Sequence, residues 1–188
     1  MIAYIEGRIV KKFNKSVVIK TDGLGYLVFI NDIAHSEYDE NDKIELYCHT
    51  VVREDDISIY GFLTVDELDT FKKLITVSGV GAKSALELLN NPVNSLKYAI
   101  TNKDTAILIN TPGIGKKTAE RIIIDLQGKM DSIDKPQDYE NSYEFDNDAL
   151  NALVNLGYRK QQIINTLKSK PPEIEKTEDI IRYFLQNA

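Results

Sequence analysis

The sequence predicts an α+β protein of several domains: a five-stranded β-barrel, then an all-helical region, then a small three-helix bundle. Three observations predict it. Apolar and polar residues alternate through residues 1–63, the period of half-buried strands. At Thr64 the spacing of apolar residues becomes helical and stays so to about residue 130. An acidic stretch without periodicity follows, and helical spacing returns near residue 146.

Period-2 runs at residues 2–10, 16–20, 26–30, 43–52 and 57–62 are read as five strands. Asp22-Gly23 and Gly25 supply turn chemistry between the second and third runs. Five short strands with few helix signals suit a closed barrel over 1–63, of which the OB-fold is the commonest five-stranded form. A mixed sandwich is the alternative. In the helical region, 64–130, Thr64 and Glu67 form a T-x-x-E capping box ahead of Leu68, Phe71, Leu74 and Ile75. Breaks are expected at residues 79–81, 91–92 and 112–115, where glycine and proline interrupt the pattern.

Seven acidic residues fall between Asp131 and Asp148 against one base, Lys135. Like charge with low hydrophobicity predicts a flexible linker over 131–145. Residues 146–188 read as the three-helix bundle. Asp146 or Asn147 caps a helix bearing Leu150, Leu153 and Val154 that Gly157 stops. Ile163, Ile164 and Leu167 mark a second helix, and Thr177 caps a third bearing Ile180, Ile181 and Phe184. Leu150, Leu153, Ile163 and Leu167 are expected in its core.

Composition excludes several functions. No apolar run approaches the ~20 residues that span a bilayer, so no membrane association is expected. The first twelve residues lack the apolar centre of a signal peptide, and a cytoplasmic location is expected. The single cysteine, Cys48, sits in a strand pattern and reads as a small buried hydrophobe. His35 and His49 have no Cys or His partner at metal spacing, so neither metal nor cofactor is expected. The net charge of -6 argues against nucleic acid until it is divided along the chain. Residues 1–63 and 131–188 each carry 7 basic and 11 acidic residues, whereas 64–130 carry 9 basic and 7 acidic. Local potential at a phosphate-binding loop outweighs the total.

The basic segment contains an internal repeat. Val77-Ser78-Gly79-Val80-Gly81-Ala82-Lys83-Ser84-Ala85 matches Thr111-Pro112-Gly113-Ile114-Gly115-Lys116-Lys117-Thr118-Ala119 at an offset of 34 residues. Two glycines around one aliphatic residue allow a sharp turn between helices, with Val80 or Ile114 plugged into the core. The second glycine leaves amides bare at a helix start, where they and the helix dipole attract an anion. Lys83, Lys116 and Lys117 add charge. Such a site takes DNA phosphates and reads no bases. One such turn alone is more often a steric feature; two aligned copies with matching lysines favour a paired grip, one hairpin per DNA strand. The Gly115-Lys116-Lys117-Thr118 run is not a P-loop: position 110 is Asn, and Lys117 intervenes before Thr118.

Together these features resemble the RuvA family. Met1-Ile2, Gly7, Gly23-x-Gly25-Tyr26, Val51-Val52-Arg53-Glu54-Asp55, Ile59-Tyr60-Gly61-Phe62 and Thr111 to Arg121 carry the resemblance, which covers essentially the whole chain. It implies a non-catalytic subunit with tandem helix-hairpin-helix motifs that binds four-way DNA junctions and recruits a RuvB-type hexameric ATPase. A homotetramer is implied, or two stacked as an octamer, with a junction resolvase as a further partner. The resemblance assigns DNA-backbone binding to Gly79, Gly81, Lys83, Gly113, Gly115, Lys116, Lys117, Thr118 and Arg121. It assigns an acidic pin to Glu54 and Asp55, which on residue type alone read as a solvated turn. Ser78 departs from the family pattern, which carries a polar amide there. The second repeat also resembles a DNA-glycosylase hairpin, but the later acids, Asp131 and Asp134, fall in the expected linker. A DNA-gripping scaffold for ordinary duplex or single strands is the remaining alternative.

Overall fold

The computed structural model describes residues 1–131, 136, 147–158, 160–167, 170–171, 174 and 176–187. They belong to two compact units, Met1–Pro136 and Gln137–Ala188.

The first unit opens with five strands: β1 (Tyr4–Phe13), β2 (Ser16–Lys20), β3 (Gly25–Phe29), β4 (Lys43–Val52) and β5 (Ile57–Phe62). They close into a barrel in the order β1-β2-β3-β5-β4, antiparallel except for β3 with β5. Closure rules out the sandwich. Alternate residues turn inward, so Ile5, Ile9, Val17, Ile19, Val28, Ile44, Leu46, Cys48 and Ile59 form one core. Gly7 admits no side chain: a Cβ there would lie 2.4 Å from the Lys20 carbonyl oxygen.

Two details differ from the sequence reading. β1 runs to Phe13 rather than stopping near residue 10, because a bulge between Ile9 and Lys11 shifts the register with β2 and breaks the alternation. A short helix, α1 (Asp32–Glu37), joins β3 to β4. The Asn31 side chain caps it by accepting from the Ala34 amide at 2.8 Å. Only Ala34 of its six residues is buried, so it shows no apolar period.

Five further helices complete the unit: α2 (Val65–Leu74), α3 (Ala82–Leu88), α4 (Val93–Thr101), α5 (Ala106–Ile109) and α6 (Lys116–Leu126). The Thr64–Glu67 capping box is present in both directions. The break between α4 and α5 has no glycine to announce it. Lys103 takes φ 60° there, and the Asp104 and Lys103 amides close the helix end on the Ala99 and Ile100 carbonyls. Phe71 of α2 is fully buried against the rings of Phe62, Tyr60 and His49, at 4.8, 5.3 and 5.7 Å. α3 is tied to the barrel by the Lys15–Glu87 ion pair and by Asn31 Nδ2 donating to the Leu89 carbonyl at 2.9 Å. These contacts fix the helical region against the barrel.

The second unit contains α7 (Asn147–Asn155), α8 (Lys160–Leu167) and α9 (Thr177–Asn187). Ala149, Leu153, Ile163, Leu167, Ile180 and Phe184 are its buried core. The Leu150 and Ile164 side chains, the Asp146 cap and nearly all of the expected linker lie outside the described residues. Gly157, at φ 95°, ends α7 in a Schellman motif: Tyr158 N–H bonds to the Leu153 carbonyl and Gly157 N–H to that of Val154. α9 starts one residue earlier than expected. Thr177 is its first helical residue, and the Lys176 carbonyl accepts from Asp179 and Ile180.

Candidate nucleic-acid interface

The two glycine repeats fold alike. Gly79 and Gly113 take φ of 92° and 84°, a conformation that side chains with a Cβ rarely adopt. Gly81 and Gly115 follow as N-caps of α3 and α6, at φ -85° with ψ 167° and 169°. Val80 N–H bonds to the Val77 carbonyl and Ile114 N–H to the Thr111 carbonyl, both at 3.0 Å. Val80 and Ile114 are buried, whereas all four glycines are exposed. Among the described residues no side chain caps either helix, which leaves the first-turn amides to solvent or a ligand.

The repeats also face each other. A Cβ on Gly79 would lie 4.0 Å from the Thr118 methyl and hydroxyl, and one on Gly113 would lie 3.5 Å from the Ser84 hydroxyl. Each turn therefore looks onto the helix of the other repeat. Arg121 Nη1 donates to the Ser78 carbonyl at 3.3 Å, a second crossing between the repeats. Lys83, Lys116, Lys117 and Arg121 are exposed, and Thr118 is half-buried. All nine candidate backbone-binding residues thus sit on two adjacent turns or the helices they open. The candidate set omits Ser84, although it matches Thr118 at the 34-residue offset and occupies the equivalent place. The repeat itself carried that signal.

The candidate pin is separate. Arg53 N–H bonds to the Asp56 carbonyl at 2.8 Å, which leaves Glu54 and Asp55 as the two-residue tip of the β4–β5 hairpin. Both are exposed and neither has positive φ. Asp56 is held back by the Ser58 hydroxyl. Among the described ion pairs, none engages Glu54 or Asp55, so both carboxylates face solvent.

Cys48 is buried in the barrel core, and His49 is half-buried against Phe71 of α2. Burial pushes the Cys48 thiol up to about 11, far from a reactive thiolate. Burial, helped by the Lys72 ammonium, holds His49 below the usual imidazole range. The helix preceding the second glycine turn, α5, also separates it from a P-loop, which follows a strand.

A closed five-stranded barrel joined to paired glycine turns on adjacent helix starts defines a protein of the OB-barrel and tandem helix-hairpin-helix class. Residues 1–61 match the family described as RuvA N terminal domain, and residues 71–128 match the SAM-like Helix-hairpin-helix tandem. A Clostridium tetani protein is 40% identical over 99% of this chain and 98% of its own length. An Alkaliphilus oremlandii protein is 36% identical over 99% and 98%. A Clostridium botulinum protein is 41% identical over 86% of each. All three are named Holliday junction branch migration complex subunit RuvA. The chain belongs to the RuvA family.

No helix among the described residues is long and apolar enough to cross a membrane.

Proposed function

We propose that this chain binds four-way DNA junctions through their phosphates, without reading sequence. It holds them open and presents them to a RuvB-type hexameric ATPase for branch migration in recombination and repair. The observation that carries this reading is the reciprocal packing of two like, exposed glycine turns. Side by side, they offer bare amides and lysines to the two strands of one duplex arm, the arrangement that phosphate binding requires. The names of the relatives support the junction as the target.

The backbone-binding set is Gly79, Gly81, Lys83, Gly113, Gly115, Lys116, Lys117, Thr118 and Arg121. The pin is Glu54 and Asp55. In a homotetramer, four pins around the symmetry axis bring eight carboxylates to the crossover, repel its phosphates and keep the arms apart. The chain is non-catalytic in this reading and needs no cofactor: its work on DNA is electrostatic and steric. Barrel (1–63), hairpin region (64–130), linker (131–145) and terminal bundle (146–188) divide the labour, with the bundle engaging the ATPase. Two tetramers enclosing a junction as an octamer, a resolvase as a further partner and a cytoplasmic location are consistent with it.

A gel shift comparing a four-way junction with linear duplex of equal length tests the proposal, run beside a mass measurement of the free protein. The junction is expected to bind far more tightly, and the free mass to be that of a tetramer. Equal affinity for both DNAs would favour the general DNA-gripping scaffold instead.

A further inference from the structure

The two glycine turns share a backbone but not a charge. At the 34-residue offset Lys83 matches Lys117, but Ala82 matches Lys116 and Glu87 matches Arg121. The helix after the first turn therefore carries one exposed cation near that turn, and its acid, Glu87, is drawn away by Lys15 of the barrel and by Asn90. The helix after the second turn carries three cations: Lys116, Lys117 and Arg121. Counted by helix, the first turn is poorly equipped.

The geometry redistributes that charge. Thr118 and Arg121 are three residues apart on α6 and so share one of its faces. Thr118 lies over Gly79, and Arg121 donates to the Ser78 carbonyl within the first turn. This face of α6 is thus placed over the turn of the other repeat. One Nη of Arg121 is spent on that carbonyl; the residue is exposed, and its fork has further donors beside the first turn.

From this we infer that Arg121, although it belongs to the second repeat, acts at the first. It pins the first turn through the Ser78 carbonyl and supplies the second cation, beside Lys83, for the phosphate held there. The strand gripped by the first turn is then held by residues of both repeats, and the two turns act as one clamp. This inference rests on the phosphate-gripping reading above and adds which strand Arg121 serves.

Single neutral methylphosphonate linkages, placed one at a time along each strand of a junction arm, test it. In the wild-type protein two groups of linkages are expected to weaken binding, one per strand. Lys83→Ala should become less sensitive to one group, and the double variant Lys116→Ala/Lys117→Ala to the other, with the turn amides accounting for the sensitivity that remains. Arg121→Gln should weaken binding about tenfold, lower the salt slope by about one, and become less sensitive to the Lys83 group while keeping its sensitivity to the other. Arg121→Lys, which keeps the charge but loses the fork, should restore the salt slope and recover only part of the affinity. Loss of sensitivity at the Lys116/Lys117 group, or unchanged sensitivity at both, overturns the inference while leaving the phosphate-gripping reading intact. Wild-type binding indifferent to every linkage would remove that reading itself, and this inference with it.

Discussion

The glycine turns and the β4–β5 tip are exposed loops of the same compact unit, yet they carry opposite chemistry by different means. In the proposed reading the turns act through the main chain. Positive φ at Gly79 and Gly113 aims the amides, and the lysines only add attraction. In the same reading the tip acts through side chains alone: an ordinary two-residue hairpin end displays Glu54 and Asp55, and its backbone has no special demand. A main-chain site is destroyed by a change of conformation that leaves every charge in place. A side-chain site is destroyed by a change of charge that leaves every dihedral in place.

The sharpest way to break that contrast is to add a side chain at a turn. Gly113→Val puts a β-branched residue at φ 84°, where backbone strain costs about 1–3 kcal/mol. If the turn opens to relieve it, the amides lose their aim, and junction affinity should fall well beyond about tenfold by gel shift. Gly113→Asn, better tolerated in left-handed conformations, should recover much of that loss. Full binding by the valine variant would mean the main chain is not what reads the phosphate.

Removing charge at the same turn is expected to do less. Lys116→Ala/Lys117→Ala keeps the fold, since both side chains are exposed. Affinity should drop about tenfold at moderate salt, equally for all sequences. The plot of log affinity against log salt should flatten by about two, near 0.9 for each phosphate that is no longer neutralised. At the tip the sign reverses. Glu54→Gln/Asp55→Asn should leave affinity within about threefold of wild type, or raise it, because repulsion of phosphate has been removed. The change should appear in the spacing of the junction arms, read by energy transfer between labelled arm ends. A clear fall in affinity would count against the pin.

The same contrast explains what the sequence disclosed. The turns were legible because their backbone needs glycine at fixed places and a repeat states the need twice. The barrel was legible because five short strand-like runs are separated by turn residues; in β1 the bulge after Ile9 hid the last residues. α1 escaped because one buried alanine makes no period, and the α4–α5 break because Lys103, not glycine, holds the left-handed position. The crossing of Arg121 to Ser78 had no signal in the linear pattern: it depends on how two helices meet, which spacing along either one does not encode. The pin role proposed for Glu54 and Asp55 rests on family resemblance alone, since a solvated hairpin end has the same residues.

The smallest expected effect lies in the seam joining the two regions. His49 stands on β4, the strand that leads to the tip, and its ring meets Phe71 of α2 at 5.7 Å. Burial first, and the Lys72 ammonium second, hold its pKa below the ordinary imidazole value. The folded state therefore binds fewer protons at this site than the unfolded chain does once the pH falls below about 6.5. Stability from the neutral ring is fully present above that pH and is lost as the pH drops from it toward the lowered folded value. His49→Gln, which does not titrate, should make the urea midpoint less dependent on pH between 7.5 and 5.5 than in the wild type. Junction affinity at pH 7.5 should not change, since His49 touches neither turn nor tip. Equal pH dependence in the two proteins would mean that the ring is not screened from water at this seam, and that the barrel and α2 are joined more loosely than the buried Phe71 implies.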